Sequence, residues 1–578
     1  NLGIGNHAIG GSVAGGEYNV AIGNNALDAL TSADYSVAVG YQAGTAITTG
    51  GNNTLMGYQA GANITTGTNN TGVGIQALYN FDTEGNNTAF GQSALGGAIA
   101  GGEFNVAVGN LSLSALTSGD RNTALGYISG SAITTGSNNT GVGNQSIENL
   151  TTGSDNAAGG SGALNALTEG SNNTAFGRAA LGAATTGGNN TALGRSAGLG
   201  LTTGSDNVII GHDSALAALT GAANTIVGTD AAKALTSGHS SVIIGQNAGA
   251  ALTTGHSVVF IGQAAGDGHD TEHDNLAIGR AALGGGIDGG EFNVAIGNYT
   301  LDALTTADYI TAVGYNAGSS VTTGGYNTLI GYHAGLAMTN ADGNIAIGHE
   351  SLGTNTLADR NVAIGYRALV TMDIASKGDV GNTAVGWNSG TAVTTGIKNT
   401  FLGLEAGKGL TSGSNNTSIG SLAGQSHATG SHCTNLGSGA QPSSNTTSGQ
   451  FTLGDSNVSN LRCNDQSIGS LSDSRDKTDV IDSPYGLDFI NTVRPVQFKW
   501  ETRDGNVKDG STRLGFLAQE LLTACDGNNA VLNLVLEENP NKLEASYGNL
   551  LTPLVKAVQE LSATVTTLQQ EVNTLKGE

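Results

Sequence analysis

Apolar positions along this chain come in short runs that close on a glycine, and the runs return at a fixed step. From Gly5, Gly23, Gly40 and Gly57 through to Gly403, Gly420 and Gly437, these marker glycines are 17 residues apart almost throughout. The step is 18 ahead of Gly23, Gly109 and Gly297, where a Gly-Gly-Glu-aromatic insert stands, and 21 ahead of Gly386. A typical unit is NNTAFGRAALGAATTGG, residues 172–188. Its Asn-Thr-Ala-Phe-Gly stretch alternates with the period of a strand. A small residue follows three positions after the marker, and a Leu or Ile seven after it, as in Leu30, Ile47 and Leu235. Thr-Thr-Gly or Thr-Ser-Gly then turns the chain. One unit cannot bury its apolar side alone, but stacked units can, at about 4.8 Å per layer. The pattern therefore predicts a mainly β fold, a 17-residue-repeat β-solenoid or β-roll of about 26 coils filling residues 1–437.

Four positions before the marker stands an asparagine in most units, among them Asn53, Asn87, Asn139 and Asn224. Many stand in Asn-Asn-Thr, which also spells a glycosylation acceptor. The position follows the repeat rather than a surface, which favours a ladder of amides bonding from coil to coil. NALDALTSADYSVAVGYQAG (25–44) parallels YTLDALTTADYITAVGYNAG (299–318), as copying of a block of coils would produce.

The period fades over residues 438–471, read as a β-rich neck, and a different module begins. Residues 472–550 mix helix and strand signals. Phe489, Ile490 and Val493 predict a short helix, Val496 to Trp500 a strand, Leu514 to Leu522 entry into a helix, and Val531 to Leu536 a strand. Turn signals stand at Asp504-Gly505 and Asp509-Gly510. In residues 551–578, Leu554, Val558, Leu561, Val565, Leu568, Val572 and Leu575 are spaced alternately by four and three. That 3.5-residue period is a coiled-coil seam.

Composition sharpens the boundary. The shaft is glycine-rich and poor in charge, with 11 Lys+Arg in residues 1–471 against 10 in the much shorter 472–578, and four of the 5 prolines fall after the break. Few prolines and a strict period argue for a repeat array rather than disorder. A net charge of -24 excludes nucleic acid as an expected partner. The odd set Cys433, Cys463 and Cys525 is no disulfide framework. No stretch suits membrane insertion, and no secretory leader or cofactor motif is read. The chain opens at Asn1 inside a repeat, so a region that attaches the shaft to a larger particle is expected ahead of it.

Candidate chemistry on the shaft is sparse. Tyrosines recur just after the marker glycine, at Tyr41, Tyr58, Tyr315 and Tyr332 among others, where they suit either stacking on sugars of a host surface glycan or filling an interface between chains. Asp267 to Asp274 concentrates carboxylates and histidines, yet the spacing fits no standard metal site and reads as a polar loop. No acid–base pair for glycan hydrolysis stands out.

Two resemblances follow from these motifs. The strand motif, as in Asn19 to Gly23 and Asn361 to Gly365, resembles the Gly/Asn/Thr-rich repeats of phage tail fibres and, locally, the head repeats of trimeric autotransporter adhesins; it implies three parallel chains. Ser-Asp-x-Arg-x-Lys at 472–477, Arg-Pro-Val-Gln-Phe-x-Trp at 494–500, Gly-Phe-Leu-Ala-Gln-Glu at 515–520, Tyr547 and the terminal heptads together resemble the endosialidase-type intramolecular chaperone domain of such fibres. That resemblance implies a homotrimer whose C-terminal domain aligns the chains and then releases itself by cutting the Leu471–Ser472 bond, with Ser472 as nucleophile and Lys477 as base. A virion tail fibre that binds a host glycan or receptor, carried on a baseplate or particle, is the expected role. A bacterial surface adhesin or filament and a glycan-degrading tailspike are the alternatives. No activity on external substrates is expected.

Overall fold

The computed structural model describes all residues except 98–99, 375, 459–461, 463–471, 500–510, 538–542 and 578. It contains two compact units, Asn1–Asn361 with Asp373–Asp379, and Val362–Met372 with Val380–Glu578.

In the first unit, three-residue strands run from Leu2–Ile4 to Ile345–Ile347, each parallel to the next. Partners lie one repeat apart, as Thr174 with Thr191 and Thr191 with Val208. The 18-residue steps leave this register intact: Val20 pairs with Leu2, Val106 with Thr88 and Val294 with Leu276. The extra residue is looped out instead, and Gly15, Gly101 and Gly289 at the loop apices have no neighbouring atom where a side chain would begin.

Two carboxylates brace the second and third of these loops. From the coil before, Glu84 accepts the N–H groups of Asp82 at 2.8 Å and Gly101 at 3.0 Å, and Glu272 accepts those of Asp270 at 2.9 Å and Gly289 at 3.0 Å. Burial raises the Glu272 carboxyl, but the N–H groups of Asp270 and Gly289 outweigh it and hold the group below its usual range. From the coil after, Asp120 and Asp308 each accept a loop N–H at 2.8 Å, from Glu103 and Glu291. Asp34 does the same for Glu17 in the first loop, at 2.7 Å.

The marker glycines have a steric cause. Gly57 sits at φ 147° and a Cβ there would lie 2.3 Å from the carbonyl oxygen of Gly74, one coil on. Gly23, Gly40 and Gly211 approach the next marker as closely, so such positions admit only glycine.

The interior is thin and follows the repeat. Ala21, Ala38 and Leu55 point inward from the middle of their strands, and Leu30, Ile47 and Leu235 fill the far side of the coil, all fully buried. Between them runs the asparagine ladder. Asn139 donates its backbone N–H to the Asn122 side-chain oxygen at 3.0 Å and its Nδ2 to the Gly153 carbonyl at 2.9 Å. The same bonds recur at Asn156, Asn173 and Asn190. These amides are buried and bonded from coil to coil, as the ladder reading expects, whereas the acceptor asparagine of each Asn-Asn-Thr stands one position earlier and is exposed, as at Asn52, Asn69 and Asn138. Outside the turn a threonine column repeats the device, with Thr117 Oγ1 donating to Thr134 O at 2.9 Å and Thr134 Oγ1 to Thr151 O at 3.1 Å.

In the second unit the same construction appears in strands Val362–Ile364, Thr383–Val385, Thr400–Leu402, Thr417–Ile419, Thr434–Leu436 and Phe451–Leu453. The last of these pairs with Thr434–Leu436 in the 17-residue register, so the ladder runs one strand beyond Gly437. Much of the expected neck, with Cys463 and Leu471, lies outside the described residues.

The C-terminal module follows. Helix α1 (Leu487–Thr492) precedes strand Val496–Lys499, which pairs antiparallel with Thr512–Gly515. Helices α2 (Ala518–Ala524) and α3 (Asn529–Leu532) lead to a two-residue ladder of Val535–Leu536 with Glu544–Ala545, and α4 (Leu551–Lys576) closes the chain. The core is Leu521, Cys525, Leu532, Leu534, Val535 and Leu550. The strand expected over Val531 to Leu536 begins as helix, at Val531 and Leu532, and is extended only at Val535–Leu536. Asn533 turns left-handed at φ 46° and ends α3, while Asn529 Oδ1 accepts the N–H groups of Leu534 at 3.2 Å and Val535 at 3.0 Å. A side chain that bonds the backbone five and six residues on offers the chain an alternative to extended structure. Trp500 and both Asp-Gly turns lie outside the described residues.

Candidate functional site

Ser472 to Lys477 folds around one carboxylate. Asp473 caps a single 3-10 turn, Ser474–Asp476, by accepting the Arg475 backbone N–H at 2.9 Å. The same carboxylate takes the Arg475 Nε at 3.0 Å, and these bonds from Arg475 hold the Asp473 carboxyl below its usual range. The turn reverses the chain far enough that Lys477 Nζ donates to Ser472 Oγ at 2.6 Å. Two side chains five residues apart thus meet, and both are exposed in the single chain. Asp473 and Arg475 shape that meeting; in the sequence they stand only as motif letters, although an Asp two positions ahead of a turn-forming Arg is an Asx-type cap signal.

The other motifs sit at joints of the module. Arg494, just before the first strand, clasps Glu520 of α2 with two guanidinium bonds, that from Nε at 2.9 Å. Tyr547 Oη accepts the Phe516 N–H at 3.2 Å and donates to the Phe516 carbonyl at 2.9 Å, with the two rings edge to face. Helix α1 begins at Gly486 without a side-chain cap of its own; Glu560 of α4 supplies it by accepting the Leu487 N–H at 2.7 Å. Helix α4 uses Pro553 and Ala557 as its buried positions. Leu554, Val558, Leu561, Val565, Leu568, Val572 and Leu575 all remain exposed along its length.

On the shaft, the tyrosines after the marker glycines stack on one another: Tyr41 on Tyr58 at 5.5 Å between ring centroids, and Tyr315 on Tyr332 at 5.6 Å. A second column, five positions before the marker, does the same with Tyr18 on Tyr35 at 5.1 Å and with Phe292, Tyr309 and Tyr326 at 5.3 and 5.2 Å. The Asp267–Asp274 stretch is divided. His269 turns inward, fully buried beside Phe260, where burial pushes its pKa down to about 4. His273 stands outside, held between Asp274 at 2.8 Å and Glu291 at 2.9 Å. The expected polar loop thus turns His269 into the core, because position 269 is the Leu or Ile position of its coil, and buries Glu272 as well. Among the described residues no group of three or more side chains is placed to hold a metal ion, and no helix is long and apolar enough to cross a membrane.

A long parallel β-solenoid that ends in a compact module of helices and short strands, with a serine–lysine contact at that module's first residue, defines a class of architecture: a repeat shaft joined to a separate C-terminal module. A comparison with known families bears on that module. Residues 472–532 match the family described as chaperone of endosialidase, a family associated with self-cleaving peptidase activity, and the match begins at Ser472 itself. Solenoid and chaperone-type domain together are consistent with a phage tail-fibre or tailspike-like architecture. No curated protein matches the chain.

Proposed function

We propose that this chain is the shaft of a homotrimeric viral tail fibre whose C-terminal domain brings three chains together, sets their register and then cuts itself free. The observation that carries the reading is the Lys477–Ser472 contact of 2.6 Å at the first residue of the chaperone-family match.

The shaft explains the need for such a device. In a uniform ladder, slipping by one coil costs little, and unpaired strand edges aggregate while long-range pairing is slow. The exposed seam of α4 supplies alignment at one end, raising the local concentration of the chains it joins. The shaft carries a matching signature: Met56, Phe90, Leu125, Phe176, Leu193 and Leu402 face outward from their strands and are exposed on the single chain. Apolar stripes of this extent mark contact surfaces.

For cleavage, Lys477 takes the Ser472 hydroxyl proton and Oγ attacks the carbonyl carbon of Leu471. The bond to the Ser472 nitrogen breaks as that nitrogen gains a proton, and water hydrolyses the resulting ester to a Leu471 carboxylate and a free Ser472 amine. A lysine accepts a proton only once it has given one up, which burial favours. The pair is exposed on one chain, so covering it by neighbouring chains would tie the cut to assembly. Release of the aligner then locks the shaft kinetically. Tyr41, Tyr58, Tyr315 and Tyr332 are offered as surface that meets a host glycan or receptor.

Intact mass under denaturing conditions, with native mass alongside, tests this. The unaltered chain is expected to yield a 471-residue fragment in a three-chain particle, and Ser472→Ala and Lys477→Met to stay full length. Uncut chain in all three sinks the cleavage; a one-chain particle sinks the fibre.

A further inference from the structure

The column five positions before the marker glycine loses its side chain at one level. Phe292, Tyr309 and Tyr326 stand there in successive coils and stack at 5.3 and 5.2 Å. The next coil places Gly343 in the column, and the coil after it Arg360. All of these residues are left-handed, with φ between 58° and 65°. The backbone does not require glycine, since Asn52, Asn69, Asn138 and Asn172 hold the same column position at φ 59° to 61°. A Cβ on Gly343 would meet nothing closer than Arg360 Cγ, at 3.7 Å. Gly381 and Gly449 also occupy the column, but neither adjoins a tyrosine.

The result is a recess one coil high. One wall is the Tyr326 ring, which is 69% exposed, with one face on Tyr309 and the other toward the level of Gly343. The opposite wall is the aliphatic stem of Arg360. Two coils separate Tyr326 from Arg360, about 9.6 Å, so a flat ring seated midway lies about 4.8 Å from each. That is close to the spacing the stacked rings keep among themselves. The rim carries both donors and acceptors. Arg360 Nη1 is paired with Asp379, and Lys377 Nζ with Asp342 at 2.7 Å and with Asn340 Oδ1 at 2.9 Å. Asp342 is fixed in turn by the Gly325 N–H, which it accepts at 2.9 Å. A guanidinium and a carboxylate each take several hydrogen bonds, so these contacts leave capacity on both.

Resting on the reading of the shaft as a surface that meets a host glycan, we infer that this recess is a sugar-binding site. One pyranose ring stacks on Tyr326 at the level of Gly343, and its hydroxyls bond to Arg360, Lys377, Asp342 and Asp379. A pyranose offers a face of C–H groups to the tyrosine and a margin of hydroxyls, each both donor and acceptor. The rim matches that margin in kind. Its pairs Arg360–Asp379 and Lys377–Asp342 balance in charge, so it suits a neutral sugar rather than an acidic one. Backbone strain points the same way. A bulky ring at positive φ is costly, and Tyr326 has a stacked ring on one face only, so a ligand on the other face gives its placement a use.

The test is an array of neutral and acidic pyranose oligosaccharides, probed with the labelled full chain beside Tyr326→Ala, Gly343→Asn and Tyr315→Ala. Asparagine tolerates left-handed backbone and already occupies this column in other coils, so Gly343→Asn fills the recess without disturbing the coil. Its melting curve should match the parent's, and Tyr326→Ala, which removes an exposed ring, supplies an independent reading. The unaltered chain is expected to bind neutral sugars, and Gly343→Asn and Tyr326→Ala to lose about tenfold or more in affinity. Full binding by either variant, or loss in Tyr315→Ala with none in Gly343→Asn, would overturn the site while leaving the glycan reading standing. Binding confined to acidic sugars would overturn the assignment to a neutral one. No binding of the unaltered chain to any sugar on the array would remove both the site and the glycan reading.

Discussion

Glu560 accepts the backbone N–H of Leu487 at 2.7 Å across 73 residues of chain. The last helix thereby caps the first helix of the same module, which has no cap of its own. Replacing Glu560 with Ala leaves that N–H without its acceptor, at a cost of about 1 kcal/mol. Urea unfolding of the C-terminal domain in the uncut Ser472→Ala chain should show the midpoint fall. An unchanged midpoint would mean the contact contributes nothing to the module's stability.

The exposed seam of α4 predicts a second outcome. Leu561→Asp together with Leu568→Asp puts two charges where apolar side chains would meet. Most of the stability of a protein helix comes from packing its apolar face, so native mass should drop to one chain and helical signal should fall with it. A three-chain particle with intact α4 helicity would show that the heptads do not join the chains.

The ladder makes a local prediction. Asn139→Ala removes the acceptor of the Asn156 N–H, 3.0 Å away, and the donor to the Gly153 carbonyl, 2.9 Å away. Each group left unpaired inside costs about 1–3 kcal/mol. Amide exchange at Asn156 should accelerate about tenfold or more, while coils far along the shaft exchange as before. Uniform exchange along the whole ladder would mean that coils do not depend on their own asparagine.

Gly57→Ala drives a methyl against the Gly74 carbonyl, 2.3 Å from where the Cβ would lie, at a φ that L residues avoid. The strained backbone alone costs roughly 1–3 kcal/mol. Thermolysin should open the shaft near residues 57–74 in this variant and not in the parent. Equal resistance would show that the coils can move apart freely.

His269 carries a pH dependence. Its folded pKa of about 4 lies below the ordinary 6.5, so between those values the unfolded chain binds a proton that the folded chain refuses. Stability is therefore full above about pH 6.5 and is lost as pH falls toward 4, by up to about 3 kcal/mol. His269→Leu should erase that slope at the surrounding coils and stabilise them at every pH. A slope that survives the substitution would assign it to other groups.

What the sequence made legible was whatever repeats. The 17-residue step, the inward strand centre, the buried asparagine and the far-side leucine each recur often enough to announce their place, and the structure puts them there. The heptads were readable for the same reason. Single events were harder. Glu84 and Glu272 look like ordinary variation in the turn until the loop above them is seen. His269 was read as part of a polar loop because its acidic neighbours drew attention from its position in the repeat count. The Val531 to Leu536 error came from scoring β-branched residues while ignoring Asn529, whose amide bonds the backbone ahead of it. Glu560 and Leu487 are too far apart in sequence for any local pattern to join them. Of the candidate site, the serine and lysine were named from a motif, but the capped turn that lets them touch is written in Asp473 and Arg475.

The looped-out residues at Gly15, Gly101 and Gly289 have a practical consequence. At these three apices the chain leaves the stack and returns without altering the pairing on either side. They are ports: a peptide tag, an epitope or a fluorophore-bearing cysteine grafted there would be carried on the outside of the rod at defined heights, and the spacing between cargoes would be counted in whole coils.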